Sequence, residues 1–393
     1  MEVIYTSVIC RLKFIFIKKY EEEAGILKKE LSISLCMIVK DEEKCICKCL
    51  DSVKDLVEEI VIVDTGSTDK TKEICEKYQA KVYDFVWKEN FADARNFGIE
   101  KATGKWILYI DADEEVCIKD LEEFQRALEG QEELYLIPFV NYCGEFPEDR
   151  NRSYLFSSYR LFRNYKGFKF IGSIHEYLII QDQAIKFTNK IMQGIEIYHY
   201  GYMQPIMECK NKGQRNLNIL GKEINKPDYS PWVDYHIASE YYNMKKYKEA
   251  LNYVNLSIIR FINQQKLPPS LLYKLKYDVL ITMGSYKSAK LGIEKAIELY
   301  PDYVDLHFYK GIIFFEEKMF EEAISIFKYC LELGDKISEY LTLVGVGSHR
   351  SWYFIGCCYE KIGNDKKAGD AYIQAINIYP EYTEARAGLL KLD

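Results

Sequence analysis

The chain has 393 residues, 48% of them hydrophobic and 29% charged, with a formal net charge of −7. That length exceeds one ordinary core and predicts two domains of globular composition. The acidic balance excludes the broad basic surface that wraps nucleic acid, and no run reaches the roughly 18–20 apolar residues that cross a bilayer.

Residues 1–30 hold an apolar strip over 3–17, preceded by Glu2 and broken by Arg11 and Lys13. It lacks the charged-then-apolar order of a secretory signal, so this segment reads as an extension to the fold. The 12 cysteines fall in predicted helices and strands rather than framing loops. That pattern predicts reduced thiols and a cytoplasmic protein. Cys45, Cys47 and Cys49 lack the distant second pair of a zinc site.

Over 31–203, short apolar runs alternate with amphipathic stretches. Residues 34–39, 60–63, 81–85 and 106–110 read as strands, and 41–53, 68–78 and 91–102 as helices. The alternation predicts an α/β domain with a mostly parallel sheet and flanking helices. Beyond Leu134 the strands come closer together, as over 157–162, which predicts a mixed or antiparallel part. Residues 204–230 carry Pro205 and Pro227 and read as a linker.

From 231 to 393 only helical patterns occur, and small residues recur. Gly356, Tyr359, Ala368, Tyr372 and Ala375 fall at the spacing of a tetratricopeptide unit, and Gly311, Phe314, Ala323, Phe327 and Cys330 repeat it. Units starting near 231, 270, 304 and 349 predict an all-α solenoid in which each helix pair buries its apolar face on the next.

Three constellations carry chemistry. Asp111-Ala112-Asp113 closes the strand 106–110. Two carboxylates at the C-terminal end of a buried strand sit where open α/β sheets bind ligands, and their hard oxygens suit Mn²⁺ or Mg²⁺. A solvated turn is the bland reading of that pair alone. Asp64 closes the strand 60–63 and opens the turn Thr65-Gly66-Ser67-Thr68-Asp69, in which Ser67 or Thr68 caps the next helix. Arg95, within Ala94-Arg95-Asn96, lies on the helix before the acidic strand, where it can reach a diphosphate.

With Met37-Ile38-Val39-Lys40-Asp41-Glu42-Glu43, these motifs make residues 33–115 resemble the nucleotide-sugar-binding half of family-2 glycosyltransferases of the GT-A fold. The resemblance implies a nucleotide-sugar donor, UDP being the expected nucleotide, and inversion at the anomeric carbon. Val39, Asp64, Arg95, Asp111, Ala112 and Asp113 would hold that donor, with the metal at Asp111 and Asp113. Many members carry a second Asp where this chain has Thr65. The resemblance continues more weakly through Tyr159-Arg160-Leu161-Phe162-Arg163, Ile174-His175-Glu176 and Tyr198-His199-Tyr200-Gly201-Tyr202. The layout, with repeats behind it, is similar to bacterial family-2 enzymes that include glycocin peptide S-glycosyltransferases. It implies an acceptor that is a peptide or protein side chain presented by the repeats.

An inverting transfer needs a base for the acceptor proton. Glu176 is the first candidate, with His175 orienting it or touching the diphosphate; pairing with an arginine such as Arg160 is the competing role for Glu176. His199 is a third metal or diphosphate ligand, or a core histidine. Glu114 and Glu115 read as helix-start carboxylates. The repeats hold a partner, self-associate into a homo-oligomer, or simply stabilise the first half. The rival to an enzyme is a repeat-based scaffold with an inactive sugar-nucleotide domain, against which the intact Asp111 and Asp113 argue.

Overall fold

A computed structural model describes residues 32–180, 188–203, 212–336 and 340–392. The 1–30 extension and residues 204–211 of the expected linker lie outside them. Two strands apolar except at Ser34, Glu59 and Asp64, β1 (Ile33–Val39) and β2 (Glu59–Asp64), are buried along nearly their whole length. Between them α1 (Ile46–Val53) buries Ile46, Cys49, Leu50 and Val53, the i, i+3, i+4, i+7 stripe of an amphipathic helix. Then come α2 (Thr71–Lys77), β3 (Lys81–Asp84), α3 (Phe91–Lys101) and β4 (Trp106–Tyr109). Next are β5 (Glu114–Ile118), α4 (Leu121–Glu129), β6 (Leu134–Gly144) and β7 (Ser153–Arg163). The hairpin β8 (Phe168–Ile171) and β9 (Tyr177–Ile180), then β10 (Asn189–Ile191) and β11 (Ile195–Met203), complete this half.

The main sheet runs β3-β2-β1-β4-β7-β6-β11-β5. Its first four strands are parallel, as the alternation predicts. Strand β7 is antiparallel to both β4 and β6, β11 is parallel to β6, and β5 returns antiparallel at the far edge. The chain leaves β1 toward β2 on one side and reaches β4 on the other. The C-terminal ends of β1, β2 and β4 therefore frame the crevice where such sheets bind ligands.

Helices α1 and α2 start later than their periodicity predicts, at Ile46 and Thr71, because the two preceding loops are laced together. Asp41, at φ +54, takes the Thr68 N–H at 2.7 Å and donates its own N–H to Ser67 Oγ at 3.0 Å. The Glu42 N–H donates to Thr71 Oγ1 at 2.7 Å. Ser67 and Thr68 thus tie loop to loop and do not cap α2, whose N-cap is Lys70.

Helix α5 (Lys212–Glu223) occupies much of the expected linker. The repeats follow as α6 (Pro231–Asn243) with α7 (Tyr247–Asn263), then α8 (Ser270–Thr282) with a second helix broken into α9 (Tyr286–Lys290) and α10 (Ile293–Leu299). The last pairs are α11 (Val304–Glu316) with α12 (Phe320–Leu333), and α13 (His349–Ile362) with α14 (Asp365–Ile378), before a closing helix α15 (Thr383–Leu390). The four first helices begin at the four starts read from the sequence. The spacing has a steric cause: a Cβ on Gly311 would meet the Phe327 ring at 2.5 Å, and one on Gly356 would meet the Tyr372 ring at 2.5 Å.

The long interval between the third and fourth pairs docks the repeats on the sheet. Its strand β12 (Thr342–Leu343) pairs antiparallel with Tyr154 and Leu155 of β7. Asp335 closes the loop by accepting from the Gly345 and Gly347 N–H groups at 3.0 and 2.7 Å. Beside this contact His349 is fully buried, edge-on to Tyr379 and Tyr382, and neither ring nitrogen has a hydrogen-bond partner among the described residues. Burial pushes its pKa down to about 4, so the folded chain holds it neutral where the unfolded chain, near 6.5, takes a proton. Stability from this group is present above pH 6.5 and lost as pH falls toward 4. His349→Leu is expected to flatten the acid limb, removing on the order of 2 kcal/mol of the loss between pH 7 and 4. Urea midpoints of both proteins across that range check it.

No helix among the described residues is long and apolar enough to cross a membrane, and the described cysteines are free thiols.

Candidate active site

The turn after β4 carries Asp111, Ala112 and Asp113 from the middle of the sheet to β5 at its edge. Glu114 clasps it: its Oε2 accepts the Asp111 N–H at 2.9 Å, and its own N–H donates to the Asp111 carbonyl at 3.0 Å. Glu114 and Glu115 therefore begin a strand, not a helix.

Two arginines flank this turn, Arg95 buried and Arg160 partly buried. Arg95, from α3, donates through Nη2 to Asp111 Oδ1 at 2.9 Å and through Nε to Glu176 Oε1. Arg160, from β7, donates through Nη2 to Glu114 Oε1 at 2.7 Å and lies 3.9 Å from Asp111 Oδ2. Burial alone would raise the Asp111 pKa, but the charges of Arg95 and Arg160 outweigh it and hold the carboxyl well below the usual range. Glu114 is pushed up instead, by burial and then by the neighbouring Asp111, against the pull of Arg160. Arg95 stays charged despite burial because Asp111 and Glu176 face it. Its Nη1 is buried with no hydrogen-bond partner among the described residues.

Glu176 reaches this cluster because Asn96, next to Arg95, pins the β8–β9 hairpin. Its amide donates to the Phe170 carbonyl at 2.9 Å and accepts the Phe170 N–H at 2.8 Å. The arginine that pairs with Glu176 is thus Arg95, not Arg160. His175 turns away from that carboxylate. Its backbone sits at φ +51, and its ring stacks on His236 of α6 with centroids 3.8 Å apart.

The second centre joins Asp113 to His199. Strand β11 runs past His199 to Met203, and the pairing of His199 with Glu114 sets the imidazole beside the acidic turn. His199 Nδ1 lies 2.7 Å from Asn141 Oδ1, so it donates, and Nε2 faces Asp113 Oδ1 at 3.7 Å. A bulge follows His199, and a Cβ on Gly201 would meet Nε2 at 2.5 Å and Asp113 Oδ2 at 3.0 Å. Only glycine leaves both groups where they are. No group of three His, Cys, Asp or Glu residues arranged to hold a metal occurs among the described residues.

Asp64 and Val39 lie opposite each other at the ends of β2 and β1. The Asp64 carboxylate is buried and accepts from the Gly66 and Ser67 N–H groups at 3.1 and 3.0 Å, with Lys72 at 3.8 Å. It shapes the turn at the crevice mouth. Thr65 spends its hydroxyl on the Val39 carbonyl at 3.0 Å.

Residues 34–187 match the profile of Glycosyl transferase family 2, and 349–382 match a tetratricopeptide repeat. An uncharacterized glycosyltransferase of Rickettsia typhi is 31% identical over 218 residues, 53% of this chain and 73% of that protein. The chain belongs to the family-2 glycosyltransferases. The SPbeta prophage-derived glycosyltransferase SunS of Bacillus subtilis is 29% identical over 302 residues, 74% of this chain and 68% of SunS. A TPR repeat-containing protein of Synechococcus elongatus is 35% identical over 190 residues, 47% of this chain; the chain spans only 45% of that protein's length.

Val39, Asp64, Asp111, Ala112 and Asp113 lie at or just beyond the ends of main-sheet strands, Arg95 on α3, Glu176 in the separate β8–β9 hairpin and His199 on β11. Asn141 escaped the motif reading. Arg160 and Glu114 were both named, one as a partner for Glu176 and the other as a helix-start carboxylate, but nothing in the spacing paired them with each other.

Proposed function

We propose that this glycosyltransferase transfers a sugar from a UDP donor to a polypeptide side chain with inversion, using Mn²⁺ or Mg²⁺ at the diphosphate. The chain of ion pairs Glu176–Arg95–Asp111 carries the reading. Inversion in one displacement needs a base for the acceptor proton and positive charge where the leaving diphosphate gathers negative charge. Arg95 spends Nε on Glu176 and Nη2 on Asp111, which leaves the buried Nη1 for a phosphate oxygen. It holds Glu176 through Oε1, so Oε2 is the atom assigned to receive the acceptor proton.

A divalent cation fits Asp113 and His199. The hydrogen bond from Nδ1 to Asn141 is the outer contact that metal-binding histidines make, and it turns Nε2 toward the carboxylate. Two protein donors suffice for an ion that takes its other ligands from water and substrate phosphates. Bound there, the ion would neutralise charge on the departing diphosphate. Asp111 holds Arg95 and Arg160 beside it. The peptide acceptor is inferred from the resemblance to glycocin S-glycosyltransferases and from the helical repeats.

The test is nucleotide release from a panel of sugar nucleotides with Mn²⁺ or Mg²⁺, in wild type and Asp113→Asn. One donor is expected to be hydrolysed slowly by wild type, and at least about tenfold more slowly by the variant, with unchanged thermal unfolding. Equal rates in the two proteins would remove Asp113 from the mechanism.

A further inference from the structure

Between the β8–β9 hairpin, α5 and the first repeat helix α6 lies a cleft of about 460 Å³, a volume in the range of ligand pockets. The β8–β9 turn supplies Ile174 and His175, α5 supplies Leu220, and α6 supplies Trp232, Val233 and His236. Three rings line it in near-parallel array: His175 on His236, 11° apart in plane, and Trp232 on His236, 23° apart, with centroids 6.1 Å apart. Loss of solvent around the two imidazoles lowers both pKa values, so the rings are uncharged at neutral pH.

Ser173, Glu223 and Ser230, three of the polar residues in the lining, are already engaged. Ser173 donates to Glu223 Oε1 at 2.8 Å, Lys226 pairs with Glu223 at 2.7 Å, and Ser230 accepts the Trp232 N–H at 3.4 Å. A sugar would ask this wall for hydrogen bonds to its hydroxyls, and a charged ligand for an opposite charge. An uncharged apolar group asks for neither and gains from the rings and aliphatic side chains. The cleft adjoins the ion-pair cluster in sequence: His175 and Tyr177, both in its wall, flank Glu176.

We propose that this cleft is an acceptor-specificity pocket that takes an aromatic or branched aliphatic side chain of a polypeptide. The proposal rests on the transferase reading above. An apolar side chain seated there brings the adjoining residues of the same chain to the Glu176 carboxylate. The polypeptide is favoured because α6, a repeat helix, forms one side of the cleft, and stacked helix pairs offer extended surfaces to chain-like partners.

The experiment titrates the full chain with N-acetyl-tryptophanamide, N-acetyl-leucinamide and methyl glucoside, followed by NMR, and separately with UDP and Mn²⁺. Wild type is expected to bind both amides at one site and the glucoside not at all. Val233→Arg and Val233→Trp are each expected to weaken the amides at least tenfold, the first by charge and the second by filling the cleft. Amides that bind both variants as tightly as wild type, or a glucoside that binds in their place, would overturn the proposal. If wild type binds UDP but neither amide, the pocket fails and the transferase reading stands. If it binds no UDP, the transferase reading fails with it.

Discussion

Arg95→Met is expected to destabilise the glycosyltransferase by about 3–5 kcal/mol and to remove donor turnover. Arg95 is the only side chain that touches both Asp111 and Glu176 within the described cluster. Methionine fills much of its volume but leaves the largely buried Glu176 carboxylate without its partner, while Asp111 keeps only Arg160 at 3.9 Å. Removing one partner of a buried ion pair costs that much because the other charge stays desolvated without compensation. Arg95→Lys keeps the charge but not the planar fork that reaches two acids at once, so it should recover part of the stability and little of the activity. Denaturant unfolding and nucleotide release, run on the same three proteins, check both halves. A methionine variant as stable as wild type would mean that Asp111 and Glu176 relax into solvent, and that the cluster is looser than its distances state.

How much of this was legible follows from which contacts are local. The strands read at 34–39, 60–63 and 106–110 announce themselves by apolar runs, so Val39, Asp64 and Asp111 could be placed at strand ends from sequence. The repeat starts were legible for a similar reason, because small residues such as Gly311 and Gly356 must face an aromatic ring of the same helix pair. His199 was read as a third ligand beside Asp111 and Asp113 or as a core histidine; the strand pairing that sets it 3.7 Å from Asp113 was not legible, because it depends on β5 crossing to the sheet edge to pair with β11. The five residues of β5 are too few for alternation to tell strand from helix, and the acidic pair that opens them mimics a helix N-terminus. The late starts of α1 and α2 had the same origin. Asp41 and Ser67 bond to each other across 26 positions, and no local propensity reports that.

The contact between repeats and sheet went unread in the sequence, yet it is where a single substitution should act at long range. Lys274 of α8 is 3% exposed. It donates to Asp305 Oδ1 at 2.6 Å and to the Tyr309 hydroxyl at 2.9 Å, with Asp278 at 3.7 Å and the Tyr154 ring of β7 5.1 Å away. Burial opposes its charge, but Asp278 and Asp305 raise its pKa well above the ordinary value. The same Asp305 oxygen accepts the Leu343 N–H at 3.2 Å, so the ion pair also anchors β12 against β7. Lys274→Met is expected to cost about 3–5 kcal/mol, since Asp305 is fully buried and its Oδ2 already has no hydrogen-bond partner among the described residues. Adding Asp305→Leu to Lys274→Met should recover much of that loss, because an apolar pair needs no solvent that the site cannot give. A double-mutant cycle by denaturant unfolding separates the outcomes. A double variant more stable than the single one assigns the cost to the stranded aspartate. Additive losses would instead mean that Lys274 stabilises mainly through Tyr309, Asp278 and the Tyr154 ring, with Asp305 a bystander.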